Sequence, residues 1–133
     1  MFRVFCDFDG TLCNEDCGGI LIDTAKDSNR KELELDVIEK KKTYREAVEL
    51  MWYNVKIEMS DAMVLLEDVQ LDIGSNKLRE YLNNRGLPLY ILSNNLDIVI
   101  EPILAREMKI NAKNDACVED VYLFSNYGTA LSI

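Results

Sequence analysis

The feature that most constrains this chain is an apolar run that ends in two closely spaced carboxylates. Residues Phe2–Phe8 are rich in Val and Phe, which indicates a buried strand of a parallel sheet. The run passes directly into Asp7-Phe8-Asp9-Gly10-Thr11, where Gly10 permits a close turn of the backbone. A bare Asp-x-Asp pair is also common in solvated loops and at helix caps. Its position directly after an apolar strand favours a ligand site at the edge of an α/β sheet.

Composition and charge exclude several classes of partner. The chain has 133 residues, 48% of them hydrophobic, so a packed core is feasible. A net charge of −9 argues against nucleic acid and against an anionic membrane surface, because both attract basic patches. No apolar run approaches the roughly 20 residues of a membrane span, and no secretory signal is evident. We therefore expect a cytoplasmic protein with no membrane and no nucleic-acid partner.

The cysteine pattern gives little support for a metal site. Cys13 and Cys17 could begin a zinc site, but the sequence has no histidine and no second close cysteine pair. The cysteines are expected to be reduced.

Apolar periodicity and breaker residues predict the remaining elements. We expect helices around Leu33–Ile38, over Tyr44–Val55, after Ser60, over Ser75–Arg85 and over Asp97–Met108, and strands over Leu87–Leu92, Lys109–Ala112 and Val121–Phe124. Thr43 and Glu46 form a capping-box pattern, Ser60 is the expected cap of the next helix, and Tyr81 is expected to face inward. Gly86 is the expected C-terminal cap of the helix before it.

This order of elements predicts an α/β fold with a Rossmann-like parallel sheet flanked by helices. The stretch between the first two strands is too long for a simple crossover, so it is expected to hold a small helical cap. The predicted division is an α/β core of residues 1–13 and 75–133, with a cap insert of residues 14–74.

Polar residues at two strand ends suggest phosphoryl-transfer chemistry. A carboxylate can attack phosphorus, a second can act as general acid and base, and closely spaced acids suit Mg²⁺. The second strand ends in Ser93-Asn94-Asn95, where a hydroxyl and the following amides can hold phosphate oxygens.

The sequence Asp7-Phe8-Asp9-Gly10-Thr11 resembles the first motif, hhhhDxDGT, of the haloacid dehalogenase-like hydrolases. Ile91–Asn95 resembles their second motif, an apolar strand that ends in Ser or Thr. The helical insert between the two motifs resembles the phosphoserine phosphatase-like branch. A weaker resemblance, in DFDGTLCNED and YREAVELM, is to the methionine-salvage methylthio-sugar phosphate phosphatases, and also to phosphoethanolamine/phosphocholine phosphatases.

The resemblance implies a role for each matching residue. Asp7 would be the nucleophile, Asp9 the general acid and base, and both would bind Mg²⁺, Asp7 through its carboxylate and Asp9 through its backbone carbonyl. Asp16 would sense the substrate, a small phosphorylated metabolite. Phosphate binding would fall to Gly10, Thr11, Ser93 and Asn94.

The sequence also departs from the family pattern, and the resemblance therefore implies that the C-terminal part of the fold is missing or degenerate. A lysine motif and a second acidic motif are not evident, because Lys109 and Lys113 are the only lysines after Ser93 and no Asp or Glu follows Asp120. Val121–Phe124 resembles the strand that precedes the acidic pair, but serine and asparagine follow it. The expected function is that of a Mg²⁺-dependent phosphatase that acts through an aspartyl-phosphate intermediate. The chain could also be a truncated form of such an enzyme. The alternatives are a catalytically impaired binding module and an incomplete product of a longer gene. A homodimer or a partner chain could cover the exposed sheet.

Overall fold

The structure, a computed structural model, describes residues 2–108 and 121–125 and confirms the α/β fold class. Its elements are, in chain order, β1 (Val4–Asp7), α1 (Cys17–Ile22), α2 (Arg30–Ile38), α3 (Tyr44–Tyr53), α4 (Met59–Leu65), α5 (Ser75–Asn83), β2 (Leu89–Ser93), α6 (Asp97–Met108) and β3 (Val121–Ser125). The predicted strand Lys109–Ala112 lies outside the described residues. Among the described helices, none is both long and apolar enough to cross a membrane.

The described strands form one parallel sheet in the order β1-β2-β3. In β2, Leu89 and Ile91 are fully buried, whereas Leu92 on the opposite face is 45% exposed. This alternation is the period-two pattern of a strand with one covered face. Buried apolar residues of α6 add to the core, namely Val99, Ile100, Ile103 and Leu104.

The chain divides into two compact units, and the second unit is continuous in sequence. The first unit comprises Met1–Cys17 and Asp68–Ile133, and the second comprises Gly18–Glu67. The assignment of residues 14–74 as a cap remains a prediction.

The second unit is a small helical assembly with its own apolar cluster. Its buried members are Ile22, Leu33, Ala47 and Met51, with Val37, Trp52 and Val55 packed against them. The helix α3 begins at a capping box, as the sequence predicts, because the Thr43 side chain accepts from the Glu46 amide and the Glu46 carboxylate accepts from the Thr43 amide.

Two details of the helices differ from the sequence-based expectation. Glu58 occupies the N-cap position of α4 without a side-chain capping hydrogen bond, so Ser60 lies inside the helix rather than before it. Tyr81 is 54% exposed instead of inward-facing, because the Arg85 guanidinium lies 3.6 Å from its ring centroid and holds the ring at the surface.

The predicted glycine cap after α5 is present. Gly86 has a φ of 64°, the left-handed region that glycine adopts without steric cost. The Gly86 amide donates to the Asn83 carbonyl, and the Leu87 amide donates to the Leu82 carbonyl. This pair of hydrogen bonds is the Schellman motif, and it turns the chain from α5 into β2.

Candidate active site at the carboxyl edge of the sheet

The two carboxylates predicted from the first motif flank a buried aromatic side chain. Phe8 is fully buried, while Asp7 at the end of β1 is exposed and Asp9 is partly buried. One oxygen of Asp7, Oδ1, accepts a hydrogen bond from the Phe8 amide at 2.8 Å. Burial of Phe8 thus anchors the segment, and the acidic residues on either side of it lie at the carboxyl edge of the sheet.

The loop after Asp9 folds back on the end of the strand. Gly10 has a φ of 73°, so the turn uses the conformational freedom of glycine. The Thr11 amide donates to the Phe8 carbonyl at 3.2 Å, and the Gly10 amide donates to the Glu15 carbonyl at 3.3 Å. The Gly10 bond is slightly longer than an ordinary N–H···O bond, so a phosphate oxygen could compete for that donor.

Residues just before α5 and at its first position hold the far end of the loop. The Leu12 carbonyl accepts a hydrogen bond from the Asp72 amide at 2.8 Å and another from the Ser75 hydroxyl at 3.1 Å. Ser75 is buried, which limits competition from water. The position of the loop therefore depends on residues about 60 positions later in the chain.

Asp9 is the most strongly held carboxylate of the site. Its Oδ1 accepts from the Cys17 amide at 2.8 Å, and its Oδ2 accepts from the Asn95 side-chain amide at 3.1 Å. Burial raises the pKa of Asp9 by disfavouring its charged form, and hydrogen bonds from the Cys17 amide, the Asn95 side chain and the Cys17 thiol oppose that rise. The negative charge of Asp16 raises the pKa of Asp9 further.

Ser93 ends β2, the strand next to β1. The register pairs Asp7 with Leu92, so Ser93 lies one residue beyond Asp7 on a strand about 5 Å away. Ser93 is buried, and its hydroxyl accepts a hydrogen bond from the Asn95 amide at 3.1 Å. Asn94 between them is exposed.

The structure thus brings most of the predicted site residues to one edge of the first unit. Asp7 ends β1, Asp9, Gly10 and Thr11 lie in the loop that follows it, and Ser93 and Asn94 lie at the end of the adjacent strand. Asp16 is exposed and acts electrostatically on Asp9. Sequence reasoning assigned no role to Asn95, although the run Ser93-Asn94-Asn95 already placed it at a strand end.

Two cysteines lie directly behind the loop. The Sγ atoms of Cys13 and Cys17 are 3.7 Å apart, and both side chains are fully buried. Burial raises the pKa of both thiols, so they are protonated at neutral pH. In the described part of the chain no three His, Cys, Asp or Glu side chains cluster as a metal site would require.

The strand β3 is the one that resembles the strand before the family's acidic pair. In the structure β3 pairs with β2, and Ser125 lies opposite Ser93. Two strand spacings, about 10 Å, separate the end of β3 from the end of β1. The strand Val121–Ser125 is therefore not positioned to place an acid next to Asp7.

Solved structures share this fold. A phospho-aspartyl intermediate analogue of phosphoserine phosphatase aligns with a TM-score of 0.66 and 18% identity, covering 92% of this chain and 54% of that one. A hydrolase of the haloacid dehalogenase family from Salmonella enterica serovar Typhi gives a TM-score of 0.70 and 18% identity, covering 92% of this chain and 39% of that one. The fold is that of the haloacid dehalogenase-like hydrolases.

Sequence relatives narrow the resemblance. A 2-hydroxy-3-keto-5-methylthiopentenyl-1-phosphate phosphatase of Bacillus pumilus is 30% identical over 103 residues, 76% of this chain and 45% of the relative. The enzyme of that name from Bacillus mycoides is 23% identical over 104 residues, 77% of this chain and 48% of the relative. The chain thus spans about half the length of these relatives. A scan against models of known protein families gives no match. The resemblance to the phosphoserine phosphatase-like branch of the haloacid dehalogenase-like hydrolases is confirmed.

Proposed function

We propose that this chain carries the nucleophile and the acid–base group of a Mg²⁺-dependent phosphatase that hydrolyses a small phosphomonoester. The observation that carries the proposal is the arrangement of Asp7 and Asp9 at the end of β1, beside Ser93 at the end of β2. Nucleophile, proton donor and phosphate ligand are the three groups that phosphoryl transfer to a carboxylate requires. The sequence relatives support the same class of reaction.

In the proposed reaction, Asp7 attacks the phosphorus atom and the bond to the leaving oxygen breaks. Because Oδ1 of Asp7 accepts the Phe8 amide, Oδ2 is the proposed attacking atom. Asp9 gives its proton to the leaving oxygen, and then takes a proton from the water that cleaves the aspartyl-phosphate. Burial, which raises the pKa of Asp9, favours the protonated form that the first step needs.

The phosphoryl group is proposed to rest against Ser93, Asn94, Gly10 and Thr11. The Ser93 hydroxyl oxygen accepts a hydrogen bond from the Asn95 amide. This bond orients the hydroxyl proton away from that amide and toward an incoming acceptor. The exposed Asn94 adds a donor beside it. Such donors stabilise the charge that develops on the transferring oxygens.

The oxygen donors of the loop suit Mg²⁺, a hard cation that usually takes one or two carboxylates with water and substrate phosphate. Both side-chain oxygens of Asp9 accept protein hydrogen bonds, so its backbone carbonyl, together with the exposed Asp7 carboxylate, is the proposed donor set. When bound, Mg²⁺ would neutralise charge on the phosphoryl oxygens.

The substrate is proposed to be a small phosphorylated metabolite in the cytoplasm, and Asp16 is proposed to contact its leaving group. The names of the relatives make 2-hydroxy-3-keto-5-methylthiopentenyl-1-phosphate the first compound to test. Phosphoserine is the natural comparison, given the solved structures. Asp16→Asn should change the preference between these two substrates more than it changes p-nitrophenyl phosphate hydrolysis.

The test is p-nitrophenyl phosphate hydrolysis by the purified chain with and without Mg²⁺. Asp7→Asn should abolish turnover, whereas the matched substitution Asp27→Asn at an exposed residue of the second unit should leave it unchanged. Full activity of Asp7→Asn, or activity in the presence of EDTA, would contradict the proposal.

A second candidate, a binding module that keeps the site without turnover, is favoured by the position of β3. Because β3 pairs with β2, the described strands bring no second carboxylate to the open side of β1. Phosphate or Mg²⁺ binding measured by calorimetry, with no turnover in the assay above, would select this candidate. A homodimer that covers the sheet remains a proposal, which light scattering would test.

A further inference from the structure

We infer that Asn95 is a positioning residue that holds Asp9 toward the phosphoryl group and couples it to Ser93; the inference rests on the proposed function. The Asn95 residue is only 4% exposed and lies in the loop between β2 and α6. It spans the gap between the two strand ends that carry the site. Asp9 and Asn95 are 86 residues apart in sequence, so the link between them forms only in the folded chain.

Three hydrogen bonds define the orientation of Asn95. The Leu96 amide donates to its Oδ1 at 2.7 Å, which identifies the other end of the side chain as the NH₂ group. That group donates to Oδ2 of Asp9 at 3.1 Å. The backbone amide of Asn95 donates to the Ser93 hydroxyl at 3.1 Å. One residue therefore orients the proposed acid–base group with its side chain and the proposed phosphate ligand with its backbone.

The geometry also explains why the Asp9 carboxylate needs the Asn95 side chain as a partner. With Oδ1 held by the Cys17 amide and Oδ2 by Asn95, the carboxyl plane of Asp9 is fixed at both oxygens. Loss of the Asn95 donor would remove the hydrogen bond at Oδ2, leave the carboxylate held by Cys17 and allow it to rotate. Since proton transfer depends on alignment within hydrogen-bond distance, rotation should weaken protonation of the leaving group more than attack by Asp7.

The test compares two leaving groups. The p-nitrophenolate ion leaves without much protonation, whereas an alkoxide must receive a proton as the P–O bond breaks. Asn95→Ser keeps a hydroxyl that can accept the Leu96 amide, but it is too short to reach Asp9. Asn95→Leu keeps the shape of the side chain and removes both polar atoms. Asn83→Ser, at an exposed position of α5, is the matched control.

Both Asn95 variants should lose about tenfold or more in kcat/KM, which reports the steps up to departure of the leaving group, on an alkyl phosphate such as β-glycerophosphate. Their kcat/KM on p-nitrophenyl phosphate should fall much less, while Asn83→Ser should match the wild type on both. An equal loss on the two substrates by both Asn95 variants would mean a general structural defect and would overturn the inference.

A measurement independent of turnover separates this inference from the proposed function. In ¹H–¹⁵N spectra of the chain, the side-chain NH₂ resonances of Asn95 should shift in Asp9→Ala, which removes the acceptor. Unchanged Asn95 resonances would overturn the inference. If the wild type hydrolyses neither substrate, the proposed function is overturned, and a shift of the Asn95 resonances would still support the coupling of Asn95 to Asp9.

Discussion

The burial of Phe8 between two catalytic candidates predicts a large loss of stability when its ring is removed. Phe8 is fully buried and is among the largest fully buried side chains of the chain. Removal of a buried phenyl ring loses transfer free energy and leaves a cavity, so Phe8→Ala should lower the free energy of unfolding by about 3–5 kcal/mol. That is a large part of the roughly 5–15 kcal/mol that stabilises an ordinary domain.

The sequence offers a matched control, because Phe2 is on the same apolar run and is 83% exposed. Phe2→Ala should change the free energy of unfolding by less than about 0.5 kcal/mol. The assay is urea unfolding followed by far-ultraviolet circular dichroism, with the slope m compared between variants to confirm that the midpoint shift reflects stability. Equal losses for Phe2→Ala and Phe8→Ala would refute the assignment of Phe8 to the core and of Phe2 to the surface.

Two further predictions concern the second unit. Thr43→Ala removes the side-chain acceptor of the capping box and should cost about 1 kcal/mol in urea unfolding, whereas Thr43→Ser should restore most of it. Arg30 donates two hydrogen bonds to Asp23, at 2.9 and 2.6 Å, and thereby lowers the pKa of Asp23. The contribution of this exposed pair, no more than about 1 kcal/mol, should be complete above the ordinary aspartate pKa and disappear as the pH falls through the lowered value. Asp23→Asn should therefore destabilise the chain at pH 7 and have no effect in strong acid, and a loss independent of pH would contradict this.

Much of the fold followed from local sequence signals. The apolar run before Asp7 and the run Leu87–Leu92 predicted two strands that the structure confirms as Val4–Asp7 and Leu89–Ser93. The capping box at Thr43 and the left-handed glycine at Gly86 were predictable because each depends on residues within a few positions. Parallel strands also implied that the two polar strand ends would meet at one edge of the sheet.

Other features depend on contacts that are distant in sequence. The prediction that Ser60 caps α4 was wrong, because the N-cap position is Glu58, two residues earlier. Both residues lie just before the apolar stretch, so the sequence pattern does not distinguish them. The prediction that Tyr81 faces inward was wrong, because the Arg85 guanidinium contacts the ring at the surface. The pairing of Asp9 with Asn95 could not be inferred from either motif, since it depends on how the two loops meet in space.

The central claim is that Asp7 accepts the phosphoryl group, and trapping of that intermediate tests it most directly. Asp9→Asn should form the aspartyl-phosphate from p-nitrophenyl phosphate, whose leaving group needs little protonation, but should hydrolyse it slowly. We predict that acid quenching, proteolysis and mass spectrometry of this variant, incubated with Mg²⁺ and p-nitrophenyl phosphate, will find one phosphoryl group, on Asp7. The group should be absent from Asp7→Asn and from samples without Mg²⁺. A phosphoryl group on another residue, or Mg²⁺-dependent turnover that survives in Asp7→Asn, would contradict the account.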